Sequence, residues 1–468
     1  MKKLCLVLAL MMCIVSASYA TNARLAGMQV PNWMVDDDAN IWFSPAYISD
    51  YTGRIWGEFG DLNAGVASNQ WGGGSTKWLA GWLGNTGIFF NRPYVNNAAI
   101  IGADLAASNL TAIPTAIGAR SVGSAAAFPA TGVNMSAATP TNKIDLLYGF
   151  DIAKLIRLGI GVNFADAVSN YSDVFATSAG AAANDGSITY NRGTYEANAS
   201  AGLTISQLGP IPQLDIVGSY GMPIVNNYYL ETAWVSSSAN KTEERSLAND
   251  GTYYLNLGAR LKLMLWNLKF LVNGSWNIQN LSSVYKERTD SNADGTMEKD
   301  FLQNRKTTIN TINAGIAFNN QVTDKTLVIL GVGATIQTYE MNGTETDPMS
   351  PAVKIESTGS GMQFGIPVNL AVEHQLPWWG IVGRAGLAYT ISVSQQSTGS
   401  PAFNAAGTLI STNDNVSQSD VTSALAASLG LSKQFTDTLS CDLVVRQNAN
   451  TGLLNSLTTQ MSIVYKFN

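Results

Sequence analysis

Apolar and polar residues alternate singly along much of this chain. In residues 253–263, Tyr253, Leu255, Leu257, Ala259, Leu261 and Leu263 take one side; Tyr254, Asn256, Gly258, Arg260 and Lys262 take the other. In residues 362–373, Met362, Phe364, Ile366, Val368, Leu370 and Val372 alternate with Gln363, Gly365, Pro367, Asn369, Ala371 and Glu373. Residues 421–432 separate Val421, Leu425, Ala427, Leu429 and Leu431 from Thr422, Ala424, Ala426, Ser428 and Gly430. A period of two marks a β-strand with one apolar face. The second face is rich in Gly, Ala, Ser, Thr and Asn with an occasional Arg, which suits the polar interior of a barrel.

Repeated along the chain, this reading predicts strands near residues 53–61, 76–84, 86–91, 142–152, 154–166, 190–206, 211–224 and 251–264. It continues with 266–285, 301–318, 324–340, 354–374, 378–396, 418–433, 437–447 and 455–467. The expected fold is all-β, a transmembrane antiparallel β-barrel of about 16 strands, or about 14 if the short early ones are dropped. Short connections at Asn85-Thr86-Gly87 and near Ala153, Leu208, Asn267, Asn320, Pro377 and Phe435 alternate with long ones. The long ones are residues 92–141, 167–189, 225–250, 285–300, 340–353 and 397–417. Short turns at one end and long loops at the other are the asymmetry of outer-membrane barrels. Trp78, Trp82, Trp276, Trp378 and Trp379 fall near strand ends, as interfacial girdles require. The last strand, LTTQMSIVYKFN, alternates up to a penultimate Phe467 and resembles the assembly signal of bacterial outer-membrane proteins. That resemblance implies the outer-membrane assembly machinery as a partner.

Composition sharpens the picture. Charged residues are only 13% of the chain, against about 25% in a soluble domain. Residues 1–20 read as a secretory signal peptide: Lys2 and Lys3, the apolar LCLVLALMMCIV, then Ser18 and Ala20 at the cleavage positions. Met11 and Met12 stand before Cys13 where an acylation site carries small residues, which disfavours a lipid anchor there. Loss of Lys2 and Lys3 takes the net charge from −6 to −8 and rules out a strongly basic nucleic-acid surface. Cys441 is then the remaining cysteine, on the apolar face with Leu439, Leu443 and Val445, so no internal disulfide holds the fold. Beyond the leader no apolar run reaches the ~18 residues of a spanning helix, so membrane crossing falls to the strands.

Residues 21–52, TNARLAGMQVPNWMVDDDANIWFSPAYISDYT, precede the first strand and are too short for a domain. Three carboxylates run directly into apolar aromatics. The segment resembles the N-terminal signature of the FadL-like outer-membrane transporters of hydrophobic compounds through Gly27, Met28, Asp36, Asp37, Asp38, Ile41, Trp42, Pro45 and Ala46. Ser44 stands where that family has Asn, and a second Gly after Met28 is missing. The resemblance implies a hatch that plugs the lumen, with Asp36, Asp37, Asp38, Ile41, Trp42, Phe43 and Pro45 at the gate. A plug of this kind needs wall charges to meet its own, and Arg157, Arg260, Lys262, Arg384 and Arg446 lie on predicted inward faces. A free periplasmic tether with solvated aspartates is the other reading. The expected organisation is a signal peptide over 1–20, a plug over 21–52 and a barrel over 53–468.

Other chemistry is sparse. His374 sits at a predicted turn without a nucleophile beside it, and P-loop, HExxH and nucleophile-elbow patterns are absent, so no enzymatic role is expected. Asp290, Asn292, Asp294 and Glu298 match part of a calcium loop, but position 12 is Phe301; an Asp-Gly hairpin turn explains the same residues. No cofactor is expected beyond that possible calcium. The 92–141 loop is unusually apolar, and Leu105, Leu110, Ile113, Ile117 and Phe128 are candidates either to line a ligand groove or to meet a partner subunit. Transport of small hydrophobic molecules such as fatty acids across the bacterial outer membrane is the expectation. The alternative is a structural or secretion-associated barrel that binds a protein through its outer loops. Membrane lipids and a small hydrophobic ligand are the expected partners in the first case.

Overall fold

The computed structural model describes residues 22–51, 53–60, 70–75, 84–90, 142–152, 155–175, 186–208, 211–236, 239–249, 251–265, 268–290, 299–346, 354–377, 380–403, 409–448 and 457–466. Among these lie seventeen strands in one antiparallel sheet. They are β1 (Arg54–Gly60), β2 (Gln70–Ser75), β3 (Asn85–Phe90), β4 (Asn142–Ile152), β5 (Ile156–Phe175) and β6 (Gly186–Leu208). Next come β7 (Ile211–Ser236), β8 (Ala239–Asn249), β9 (Tyr253–Leu265), β10 (Leu268–Asp290), β11 (Lys299–Thr323) and β12 (Thr326–Thr346). The last are β13 (Lys354–Gln375), β14 (Ile381–Phe403), β15 (Leu409–Thr436), β16 (Leu439–Asn448) and β17 (Leu457–Lys466).

Apart from β8 and β9, each strand pairs with its neighbour in sequence, and β1 pairs with β17, which closes the sheet into a barrel. β8 and β9 share one position in the ring, because both pair with β7 on one side and β10 on the other. The break between them falls at Gly251, with φ +67°, opposite the unpaired stretch of β7 that contains Pro223. Proline has no N–H to give the ladder. The Asn249 side-chain oxygen Oδ1 accepts from Val225 N at 2.8 Å and ties the break shut. Seventeen strands therefore make sixteen staves, the number read from the alternation.

The alternation resolves into two faces. Met362, Phe364, Ile366, Val368, Leu370 and Val372 are 37–48% exposed, while Asn369 and Ala371 between them are 7% and 1%. Leu425, Leu429 and Leu431 are outward; Ser428 and Ser432 are buried inward. Exposed apolar side chains recur on β3–β5, β7 and β9–β17. A continuous apolar belt of this extent does not persist in water; against hydrocarbon it is the ordinary surface. No helix among the described residues is long and apolar enough to cross a membrane, and the strands satisfy their own backbone groups by closing on themselves. The chain is a membrane-spanning β-barrel.

Two sequence expectations are corrected, and the strand expected over 76–84 lies outside the described residues but for Gly84. Asn85-Thr86-Gly87 is not a turn; it lies in β3 and pairs with Gly149, Tyr148 and Leu147. Gly84, just before the strand, is at φ +101°. The neighbouring strand is β2, QWGGGS, whose glycines carry no alternation to read. Much of the expected long loops is strand: β5 and β6 pair up to Phe175 and Gly186, and β7 pairs with β8 up to Ser236 and Ala239. Beyond the apolar belt both faces meet water, so the pattern fades while the ladder continues.

Candidate functional site

Residues 22–51 lie inside the ring of strands, at the end that carries the short turns. Their apolar side chains form two clusters with inward wall residues. Leu25, Met28, Val30, Met34, Val35 and Ala39 pack on Leu271, Ala317, Ile329 and Ala371. Ile41, Tyr47 and Ile48 pack on Trp56, Phe89, Leu147 and Val464. Half-buried Trp42 sits edge-on to Phe89, ring centroids 4.6 Å apart. The backbone comes as close as the wall permits. A Cβ on Gly386 would lie 2.1 Å from the Met28 carbonyl, and one on Gly159 would lie 2.2 Å from Ala46 N. Only a residue without a side chain allows that approach.

The segment is built from a two-turn helix and three 3-10 turns, Asn32–Met34, Asp38–Trp42 and Pro45–Ser49, and all but the first 3-10 turn carry a local device at one end. Helix α1 (Asn22–Met28) stops at Gln29, a left-handed residue with φ 53°, where Val30 N donates back to Leu25 O at 3.2 Å. Asp37 caps the turn Asp38–Trp42 by accepting from Ala39 N at 2.9 Å. Ser44 caps the turn Pro45–Ser49 by accepting from Ala46 N at 3.4 Å, so the serine that departs from the FadL-like signature still does capping work. Pro45 follows at the first turn position, where no N–H is needed.

Charged groups then join segment to wall on opposite sides. On one side the Arg24 guanidinium donates two bonds to Glu373, at 2.8 and 2.9 Å. Arg384 donates to the same Glu373 at 2.6 Å and to Asp442 at 2.7 Å. On the other side Arg260, fully buried, donates to Asp215 at 2.9 Å and to Asn40 of the segment at 3.1 Å. It also bonds the Tyr47 hydroxyl and lies 4.6 Å from the Phe43 ring centroid. Tyr47 in turn donates to Asp215 at 2.8 Å. Lys262 meets Asp36 at 2.5 Å, Lys269 bonds the same aspartate, and Arg157 pairs with Asp50. Wall amides hold the remaining carbonyls: Asn319 to Met34 O at 2.7 Å, Asn369 to Gln29 O at 2.5 Å, with Ser428 Oγ to Gly27 O at 2.9 Å.

Of Asp36, Asp37 and Asp38, Asp36 pairs with Lys262 and Lys269 of the wall and Asp38 with Arg54 of β1, a wall base the sequence reading did not name; Asp37 does not reach the wall bases. Asp38 accepts from Trp56 Nε1 at 2.8 Å and meets Arg54 at 3.4 Å, while Asp37 faces Arg24 of its own segment at 3.8 Å. Arg446 faces inward on β16, but no ion pair joins it to the segment among the described residues. Sequence reading missed Asp215, Glu373 and Asp442, the wall acids that make the joints work. Each sits on an inward strand position, which was the available signal. His374 hydrogen-bonds Thr326 Oγ1 at 2.8 Å beside the β11–β12 turn, and Asp290 closes β10. Asn292, Asp294 and Glu298, the apolar Leu105, Leu110, Ile113, Ile117 and Phe128, and Trp78, Trp82, Trp378 and Trp379 lie outside the described residues.

Burial pushes the Asp37 carboxyl up to about 8, opposed by Arg24 and reinforced by Asp38. Burial likewise pushes Asp38 up to about 7, against the Trp56 hydrogen bond and Arg54. In a released, solvated segment both return to their ordinary 3.8. The docked state thus holds protons that the released state gives up. Docking is at full strength below the ordinary value and weakens as pH rises through about 8. In planar bilayers the frequency of open events should rise from about pH 6 to about pH 9, and Asp37→Asn should flatten that rise. Identical pH profiles for both proteins would contradict the assignment.

No protein-family model matches this chain, and no curated protein matches it. Solved structures that resemble it include the ferric yersiniabactin uptake receptor of Yersinia pestis, at 9% identity and TM-score 0.34, over 89% of this chain and 80% of that one. The translocator domain of the autotransporter NalP from Neisseria meningitidis matches at 10% identity and TM-score 0.28, over 67% and 89%. The outer-membrane protease OmpT from Escherichia coli matches at 10% and 0.26, over 67% and 97%. Likenesses of this grade carry no weight for family or cargo. The barrel rests on its own closed ladder and apolar belt.

Proposed function

We propose that this chain is a bacterial outer-membrane transporter, that residues 21–52 are its displaceable hatch, and that it passes small hydrophobic molecules such as fatty acids. The observation that carries the reading is the seat of residues 22–51. Sixteen staves leave an open aqueous channel when nothing fills them; here the filling is held by separable ion pairs and hydrogen bonds. The hydrophobic cargo follows from the FadL-like signature in that same segment. A lipid-facing groove of about 540 Å³ supports a lateral route of release. It runs between Leu370, Leu387, Leu429 and Val445, and its floor is Gly386 and Ser428, the residues that hold Met28 and Gly27 on the lumen side. Protein extracted in mild detergent should yield a bound apolar molecule by mass spectrometry, near one per chain. Lipid-free protein that retains a stoichiometric polypeptide would favour the second reading. That reading, a barrel that docks a protein outside the cell, draws support from strand height. β7 has 26 residues and β15 has 28, where about 9–11 span a bilayer.

A further inference from the structure

Above the seated segment the lumen wall changes character. Arg260 on β9 faces Asn273 on β10 in register, and four residues further up Asn256 faces Asn277. From there one row of paired positions crosses six adjacent staves: Asn256, Asn277, Thr311, Gln337, Gln363 and Ser394. All six take the inward parity of their strands. All are half-buried or exposed, so the segment does not cover them. Every one is an uncharged hydrogen-bonding group. On the next stave the row ends at Asp420.

The row is organised rather than merely wet. Gln337 Nε2 donates to Thr311 Oγ1 at 3.4 Å. In the row beneath, Asn313 donates to Ser275 at 3.2 Å and accepts from Thr335 at 2.8 Å. The side-chain carbonyl oxygens of Asn273, Asn277 and Gln279, successive inward groups of β10 around Ser275, are buried and accept no hydrogen bond among the described residues. Carbonyls in that position call for donors, which hydroxyl and amide N–H groups supply and a carboxylate does not. A carboxylate is instead received by Arg or Lys. The cations beneath the row, Arg260 and Lys262, are already bonded to Asp215 and Asp36, and Arg446 lies eight residues below the level of Asp420 on the next stave.

We propose that, within the hydrophobic class, this girdle selects cargo whose polar part is uncharged and rich in hydroxyl groups, a neutral amphiphile such as a glycoside, in preference to a fatty-acid carboxylate. The proposal rests on the transport reading above for its apolar part only. The carboxamides exchange hydrogen bonds with successive hydroxyls as the head group passes, and Asp420 repels a carboxylate at the end of the row.

Calorimetry on the full chain in lipid nanodiscs tests this with three probes: hexyl β-glucoside, hexanoate and methyl β-glucoside. Hexyl glucoside should bind more tightly than hexanoate. Combined Asn277→Leu and Gln337→Met should weaken the glucoside about tenfold and leave hexanoate unchanged. Should that pair fail to insert, judged by heat-modifiable gel mobility, Gln363→Met removes an exposed group and should still weaken the glucoside measurably. Hexanoate binding as tightly as the glucoside, or a glucoside affinity unmoved by the substitutions, overturns the girdle while leaving transport of hydrophobic molecules intact. Methyl glucoside binding as tightly as hexyl glucoside supports the girdle and defeats the hydrophobic-cargo reading instead.

Discussion

Arg260→Ala should free residues 22–51 from the barrel wall. The guanidinium is fully buried and is shared between Asp215 on the wall and Asn40, Tyr47 and the Trp33 carbonyl on the segment. Its loss removes the segment's central wall contact and leaves the Asp215 carboxylate, also fully buried, without its closest cation. Removing one partner of a buried pair costs about 3–5 kcal/mol, because the remaining charge stays out of water. The docking equilibrium should then shift by a factor on the order of 10²–10³. Lys262, Gln213 and Thr204 stay near Asp215 and hold the effect toward the lower end. Protease added on the short-turn side of reconstituted vesicles should cut within the segment, where the parent protein is protected. Adding Asp215→Leu to Arg260→Met should restore much of the protection, since no orphan charge then remains. Equal protection of the single variant and the parent would show that Arg260 is a wall residue with no part in docking.

How much of this was legible beforehand depends on which solvent each residue meets. The lipid-facing strands were legible because hydrocarbon enforces the alternation. Met362 to Val372 could be assigned from the sequence residue by residue, and every one points outward. Where hydrocarbon ends, the enforcement ends too. The outer parts of β6, β7 and β15 therefore read as loop while pairing as strand. β2 was hidden for another reason: Gly72, Gly73 and Gly74 give a strand no face to recognise.

The segment was half legible. Its mixture of acids and aromatics pointed to a place that is both charged and apolar; Met34 and Val35 sit in one apolar cluster with wall residues, Ile41 and Tyr47 in another. The partners were harder. Matching segment acids to wall bases is a rule of opposite signs, and it fails once the wall supplies its own acids. Arg384 is taken by Glu373 and Asp442, and the segment enters that network through Arg24, as a cation. Sequence spacing cannot show this, because Arg24 and Glu373 are 349 residues apart.

The central claim is that residues 22–51 close the lumen. Deleting residues 22–46 removes the whole segment side of the first apolar cluster, Ile41 of the second, the Arg24 bonds to Glu373 and the Asn40 bond to Arg260, yet leaves every described strand and the closing β1–β17 pairs in place. A sixteen-stave barrel without its filling is an open aqueous pore. Single-channel recording of the deleted protein in planar bilayers should show steady conductance roughly tenfold above the parent's, with the pH dependence of opening abolished. A deleted barrel that inserts, keeps its heat-modifiable mobility and conducts no more than the parent would contradict the account.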